Sequence, residues 1–167
     1  MHRRAGAVFG NRRLVNLFLW RHAEAEDGHP DLSRALTERG RAQAARVGPW
    51  IRRAADGSAD IVTSPARRAR QTADAIGLPY RMEDKISPGA EAADIALVLG
   101  LMAPTTAEGC LVVVGHQPWM GELISLLVSG ESAGWSVRKA QVWWLTWRSR
   151  SGSAQWTVRA VVDPDTF

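Results

Sequence analysis

Leu14-Val15-Asn16-Leu17-Phe18-Leu19-Trp20-Arg21-His22 is the stretch that decides how this chain is read. It is apolar for most of its length and stops on an arginine and a histidine. Residues 14–20 have the length of one strand and carry β-branched and aromatic side chains. Near-continuous apolarity suits a strand covered on both faces, as in the middle of a parallel sheet. Ligands of such sheets bind beyond the carboxyl ends of the strands, so Arg21 and His22 stand where chemistry is expected. The competing reading is a buried strand with a charged exit, and the dipeptide alone does not choose between them.

Two further apolar runs end in a similar way. Asp60-Ile61-Val62-Thr63-Ser64 reads as a short strand leading through Pro65 and Ala66 to Arg67, Arg68 and Arg70. Leu111-Val112-Val113-Val114 is the strongest buried-strand signal and ends on Gly115-His116-Gln117-Pro118. Between the runs lie helical patterns. Thr37 is a good N-cap with Glu38 in the first turn, and Gly40, Ala44, Val47 and Ile51 share one face of a helix to about residue 55. Pro49 predicts a kink or restart in it. A second helix is expected from Pro65 to about residue 76, capped by Ser64 and ended by Gly77. A third is expected over 92–102 and a fourth over 119–128, stopped by Gly130. Residues 80–86 can hold a short strand. Residues 137–147 and 155–162 read as an antiparallel hairpin at the sheet edge, around a polar turn over 148–153. Trp143 and Trp147 would share a face, with core packing the first guess and a partner surface the second.

A length of 167 residues suggests one domain, and 46% hydrophobic with 23% charged residues is ordinary for a soluble globular protein. The net charge of +4 makes the surface mildly attractive to phosphates or acidic partners. Arginine supplies nearly all of the basic charge, which suits bidentate grip on phosphate but equally fits a genome rich in arginine codons. A lone cysteine, Cys110, excludes an intrachain disulfide and a cysteine metal cluster. No apolar run reaches membrane-spanning length. Residues 1–13 are basic but lack the apolar centre of a secretory signal. The expectation is a cytoplasmic protein with a flexible arm over 1–13 and a single domain over 14–167. No cofactor, metal, nucleic acid or membrane partner is expected, and the oligomeric state stays open.

If the three strands are parallel neighbours, Arg21 and His22, the arginines Arg67, Arg68 and Arg70, and His116 meet at one end of the sheet. Two of the exits open helices, whose N-termini also favour an anion. Arg67 and Arg68 oppose the dipole of the helix they start, and such breaches of local rules gather at functional sites. Two histidines and at least two arginines, without a carboxylate pair at metal-ligand spacing, fit phosphoryl transfer better than metal hydrolysis. A neutral imidazole can attack phosphorus, while arginines bind the oxygens and stabilise the developing charge.

The sequence resembles the histidine phosphatase superfamily, also called phosphoglycerate mutase-like. Leu19-Trp20-Arg21-His22-Ala23 resembles its R-H-G/A signature. Leu36-Thr37-Glu38-Arg39-Gly40-Arg41-Ala42-Gln43-Ala44 resembles its L-T-x-x-G-x-x-Q-A helix. Ser64-Pro65-Ala66-Arg67-Arg68-Ala69-Arg70-Gln71-Thr72-Ala73 resembles its S-P-x-x-R-A-x-Q-T-A segment, and Val114-Gly115-His116-Gln117-Pro118 its G-H-x-P segment. The lead-in Asp31-Leu32-Ser33-Arg34-Ala35-Leu36-Thr37 looks most like the SixA-type phosphohistidine phosphatases.

The resemblance implies a three-layer α/β/α sandwich with a mostly parallel sheet, and a single histidine phosphatase domain over 14–167. It implies His22 as the nucleophile, Arg21 and Arg68 as phosphate ligands, and His116 as a further phosphate ligand that stabilises the transition state. Motif spacing selects Arg68 over Arg67 as the inward arginine. The activity implied is a metal-independent phosphatase acting through phosphohistidine on His22, with phosphohistidine on a protein as the favoured substrate. A small phosphomonoester is the alternative, and a non-catalytic phosphate-binding module is a third reading. Many relatives carry a glutamate as general acid. Glu83, Asp84, Glu91, Asp94, Glu24 and Glu26 are candidates here, and none is assigned. The acidic loop over 24–31 can instead edge the pocket.

Overall fold

The computed structural model describes residues 15–104, 109–150 and 153–167, so the arm expected over 1–13 lies outside the described residues. Six strands form one mixed sheet in the order β3-β2-β4-β1-β5-β6. β1 (Val15–Arg21) pairs in parallel with β4 (Gly109–Gly115), and β4 with β2 (Asp60–Thr63). β3 is the two-residue strand Arg81–Met82, parallel to β2. β5 (Val142–Arg150) and β6 (Ser153–Val162) form the expected antiparallel hairpin, with β5 antiparallel to β1 and β6 at the edge.

Helices cover both faces, which accounts for the near-continuous apolarity of β1. Phe18 and Trp20 face a core shared with α1 (Glu38–Ala54) and α2 (Arg67–Asp74). Leu17 and Leu19 face a second core shared with α3 (Ala92–Val98) and α4 (Trp119–Ser129). Val112 and Val114 of β4 join the first core and Val113 the second. This is the three-layer arrangement expected from the sequence.

Several boundaries differ from expectation. α1 runs without a break through Pro49. The carbonyl that Pro49 cannot satisfy belongs to Ala45, four residues earlier, and both residues are exposed, so water can take its place. α2 begins at Arg67 with Ala66 as N-cap, not at Pro65 behind Ser64. The Ser64 hydroxyl accepts instead from Ala66 N–H (3.2 Å) and bonds His116, so it is not available to the helix. α3 stops at Val98, short of Met102, because Leu101 N–H and Gly100 N–H close back on the Ala96 and Leu97 carbonyls. Residues 137–141 are not strand; β5 starts at Val142.

The candidate active site

The parallel order β2-β4-β1 brings the three exits side by side, and hydrogen bonds continue past the strand ends. His22 N–H donates to the Gly115 carbonyl (2.9 Å) and Ser64 N–H to the Val114 carbonyl (3.1 Å). The rings of His22 and His116 lie 5.1 Å apart between centroids. Arg68 Nε donates to His22 Nε2 (3.3 Å). Arg68 is only 4% exposed, whereas Arg67 points to solvent, as the motif spacing required. Arg70 makes no hydrogen bond to either histidine among the described residues.

The partners of His22 settle its tautomer. Its Nδ1 lies 2.7 Å from the Ala23 carbonyl, which can only accept, so the proton is on Nδ1. Nε2 then presents its lone pair to the Arg68 donor. Burial, followed by the charges of Arg68, Arg21 and Arg34, lowers the His22 pKa to about 4 against the opposing pull of the Ala23 carbonyl. The ring is neutral at pH 7, as a nucleophile must be. His116 is driven down to about 2, chiefly by burial. Its Nε2 sits 2.8 Å from the Ser64 hydroxyl, and its buried Nδ1 has no protein partner.

Arg21 donates from Nη1 to the Val137 carbonyl (2.7 Å) and has a buried Nε without a partner. The segment that holds it, residues 137–141, also bonds the end of β1. Ala140 N–H donates to the His22 carbonyl and Trp20 Nε1 to the Ala140 carbonyl. Some of the N–H groups near the two helix starts are used within the chain. Met120 N–H donates to the His116 carbonyl, Gly121 N–H to Gln117 Oε1 and Ala66 N–H to Ser64 Oγ. Positive charge at the site comes mainly from Arg21, Arg34 and Arg68.

Residues not singled out for chemistry hold the site together. Asp31 accepts from Arg68 through both its carboxylate (2.9 Å) and its backbone carbonyl (2.7 Å), and also pairs with Arg34. Thr72 Oγ1 accepts from Ala23 N–H, Gln71 Oε1 from Leu36 N–H and Gln43 Oε1 from Glu24 N–H. These polar positions of the motifs tie the loop after His22 to α1 and α2. Asp31 and Arg34 had one signal, the lead-in before Leu36. Gly115 is needed because a Cβ there would fall 2.1 Å from the buried Trp119 ring.

Two of the carboxylates named as candidate proton donors make contacts of their own. Glu24 accepts from Thr37 Oγ1 (2.9 Å) and lies 3.7 Å from Arg39. Glu83 caps the turn at Lys85 and faces Arg81. Among the described residues, the one carboxylate bonded to the histidine–arginine cluster is Asp31. Arg68 and then Arg34 hold it below the usual carboxylate range, so it stays ionised and keeps no proton to give.

Two histidines and an arginine cluster at the carboxyl end of a β2-β4-β1 sheet define a phosphate-handling α/β enzyme. Residues 17–91 match the family model of the histidine phosphatase superfamily, branch 1. Over those residues the chain is similar to that superfamily, and the match supports a phosphatase. It is 28% identical over 127 residues to the phosphohistidine phosphatase SixA of Escherichia coli (strain K12), covering 71% of this chain and 77% of that one. Its fold matches the protein histidine phosphatase SixA complexed with tungstate, at TM-score 0.74 and 21% identity over 90% of this chain and 98% of the other. It also matches the Entamoeba histolytica phosphoserine phosphatase in complex with 3-phosphoglyceric acid, at TM-score 0.62 and 19% identity over 88% and 96%. No described helix is long and apolar enough to cross a membrane.

Proposed function

We propose that the protein removes phosphoryl groups from phosphohistidine on a protein, without a metal ion, through a covalent intermediate on His22. The observation that carries this reading is the neutral His22 ring, its Nδ1 proton tied to Ala23 and its Nε2 lone pair beside Arg68. In the first step Nε2 attacks phosphorus and the P–N bond of the substrate breaks, with the leaving imidazole keeping the proton on its ring nitrogen. In the second step water attacks phosphorus, the His22–P bond breaks, and phosphate leaves. Arg21 and Arg68 bind the phosphoryl oxygens. His116, with Ser64 on Nε2, has Nδ1 left for a further oxygen.

The protonation state of Asp31 supports this substrate class. An alkoxide leaving group needs a proton, and the carboxylate bonded to the cluster, Asp31, is held ionised. A phosphoramidate protonated on nitrogen leaves without one. This favours phosphohistidine over a small phosphomonoester. The similarity to a phosphohistidine phosphatase points the same way.

Incubation with a phosphodonor should give acid-labile radiolabel on the wild type and none on His22→Ala. Label surviving that substitution would remove His22 from its role, and wild type that takes no label would favour a non-catalytic phosphate-binding module. Turnover should be unaffected by chelators. Hydrolysis of alkyl monoesters at least as fast as phosphohistidine would sink the substrate assignment.

A further inference from the structure

We propose that Asp31 is a positioning residue for phosphoryl transfer: by holding both terminal nitrogens of Arg68, it keeps the Nε edge of that guanidinium on His22 Nε2. The proposal rests on the reading of His22 as nucleophile.

Arg68 is nearly enclosed, and a buried guanidinium needs its donors met and its charge balanced. One residue does both. The Asp31 carbonyl takes Nη1 (2.7 Å) and its Oδ2 takes Nη2 (2.9 Å). Because the guanidinium is planar, fixing both terminal nitrogens fixes the direction of Nε. Nε then meets the nitrogen at which the new bond to phosphorus forms. Asp31 is itself braced. Its Oδ1 accepts from Arg34 Nη1 (2.9 Å), and Arg34 Nε donates to the Glu26 carbonyl (2.6 Å). The tight 3-10 turn Asp31–Ser33 sets the carbonyl and carboxylate of Asp31 together on the fork.

This arrangement has a consequence for binding. With Nη2 held by a carboxylate, part of the donor capacity and charge of Arg68 is already spent, and a phosphoryl group meets only the N–H groups that remain beside Nε. Removing the negative charge weakens the hold on Nη2 and leaves the guanidinium unbalanced, so a resting phosphate anion binds more tightly. The fork also loses its aim at the transferring group, so the chemical step slows. An interaction that serves the transition state at the expense of the ground state shows this signature when lost.

The test is Asp31→Asn, measured for turnover and, by calorimetric titration, for inorganic phosphate affinity. The expected result is kcat lower by on the order of 10- to 100-fold, the cost of a misaimed group, with KM and the phosphate Kd falling together. Asp31→Ala should cost less than about twofold further when placed on Arg68→Ala, because Asp31 acts through Arg68. The idea is overturned by an Asp31→Asn kcat within about twofold of wild type, by phosphate binding that weakens, or by a full additional loss on the Arg68→Ala background. The Asp31 side chain is 47% exposed, so the substitution is tolerable, and Asp31→Asn alone decides if Asp31→Ala does not fold. The phosphate titration needs no substrate. A wild type inactive on phosphohistidine therefore overturns the function proposed above, while the phosphate titration still reads the hold of Asp31 on Arg68.

Discussion

At the scale of single residues, adjacent arginines in one helical turn have opposite fates. Arg67 is the first residue of α2 and points outward; Arg68 follows it and is buried against His22 and Asp31. Successive helix positions point about 100° apart, so one of the pair had to diverge. Arg68→Ala should lower turnover by at least about 100-fold through loss of transition-state charge stabilisation, and Arg67→Ala by less than about twofold. Equal losses in steady-state kinetics would undo the assignment. Four site residues, Arg21, His22, Arg68 and His116, were legible because each ends a strand or opens a helix with a residue type out of keeping with its neighbours. Asp31, Arg34 and Ser64 stand in the quoted segments, but nothing in their local sequence says which distant side chain they touch. The compensation for placing Arg68 at a helix start was expected from a ligand, and part of it comes from Asp31.

At the scale of elements, α1 does more than cover the sheet. Its N-cap Thr37 accepts from Gly40 N–H (2.9 Å) and donates to Glu24, so the helix start and the loop after His22 are one unit. Gly40 is the point of closest approach. A Cβ there would stand 1.9 Å from the Glu24 carbonyl oxygen, a backbone atom that cannot turn aside. Alanine is the better helix former by about 1 kcal/mol. The clash should outweigh that gain, with a net loss of about 1–3 kcal/mol, as for overpacked sites. Gly40→Ala should therefore unfold at lower urea concentration and lose activity as the loop shifts, and a variant as stable and active as wild type would refute the contact. The helix and its cap were readable from period and residue type. That Gly40 admits Glu24 was not, because the partner lies 16 positions earlier in sequence and meets it only after folding.

At the scale of the whole molecule, burying two neutral histidines under one sheet end makes folding pH-dependent. In the folded state His22 titrates at about 4 and His116 at about 2, against an ordinary 6.5. The unfolded chain takes up protons that these rings refuse, so it binds more protons below about pH 6.5, and stability falls as the pH drops through that window. The slope is at most about 1.4 kcal/mol per pH unit for each ring. Urea midpoints should fall between pH 7 and pH 5, and a flat profile would contradict the burial of neutral rings. The same scale sets the hairpin. The register between β5 and β6 slips by one residue at Trp144/Leu145, where Arg159 is the extra residue. The slip sends Trp156 to the α4 side and Ala160 and Val162 to the α1 side, and leaves Arg159 over the Trp144 ring at 4.1 Å. Trp143 and Trp147 share the α4 side of β5, as their spacing required. By itself, the sequence determined the strands, the helices, their alternation and the residues at the strand exits, because periodicity and local chemistry are written along the chain. Only the tertiary structure decided that β4 lies between β1 and β2, that the hairpin carries a bulge, and that Asp31 and Ser64 serve Arg68 and His116. Strand order, register and hydrogen-bond partners depend on contacts between positions far apart in sequence, which no local pattern encodes.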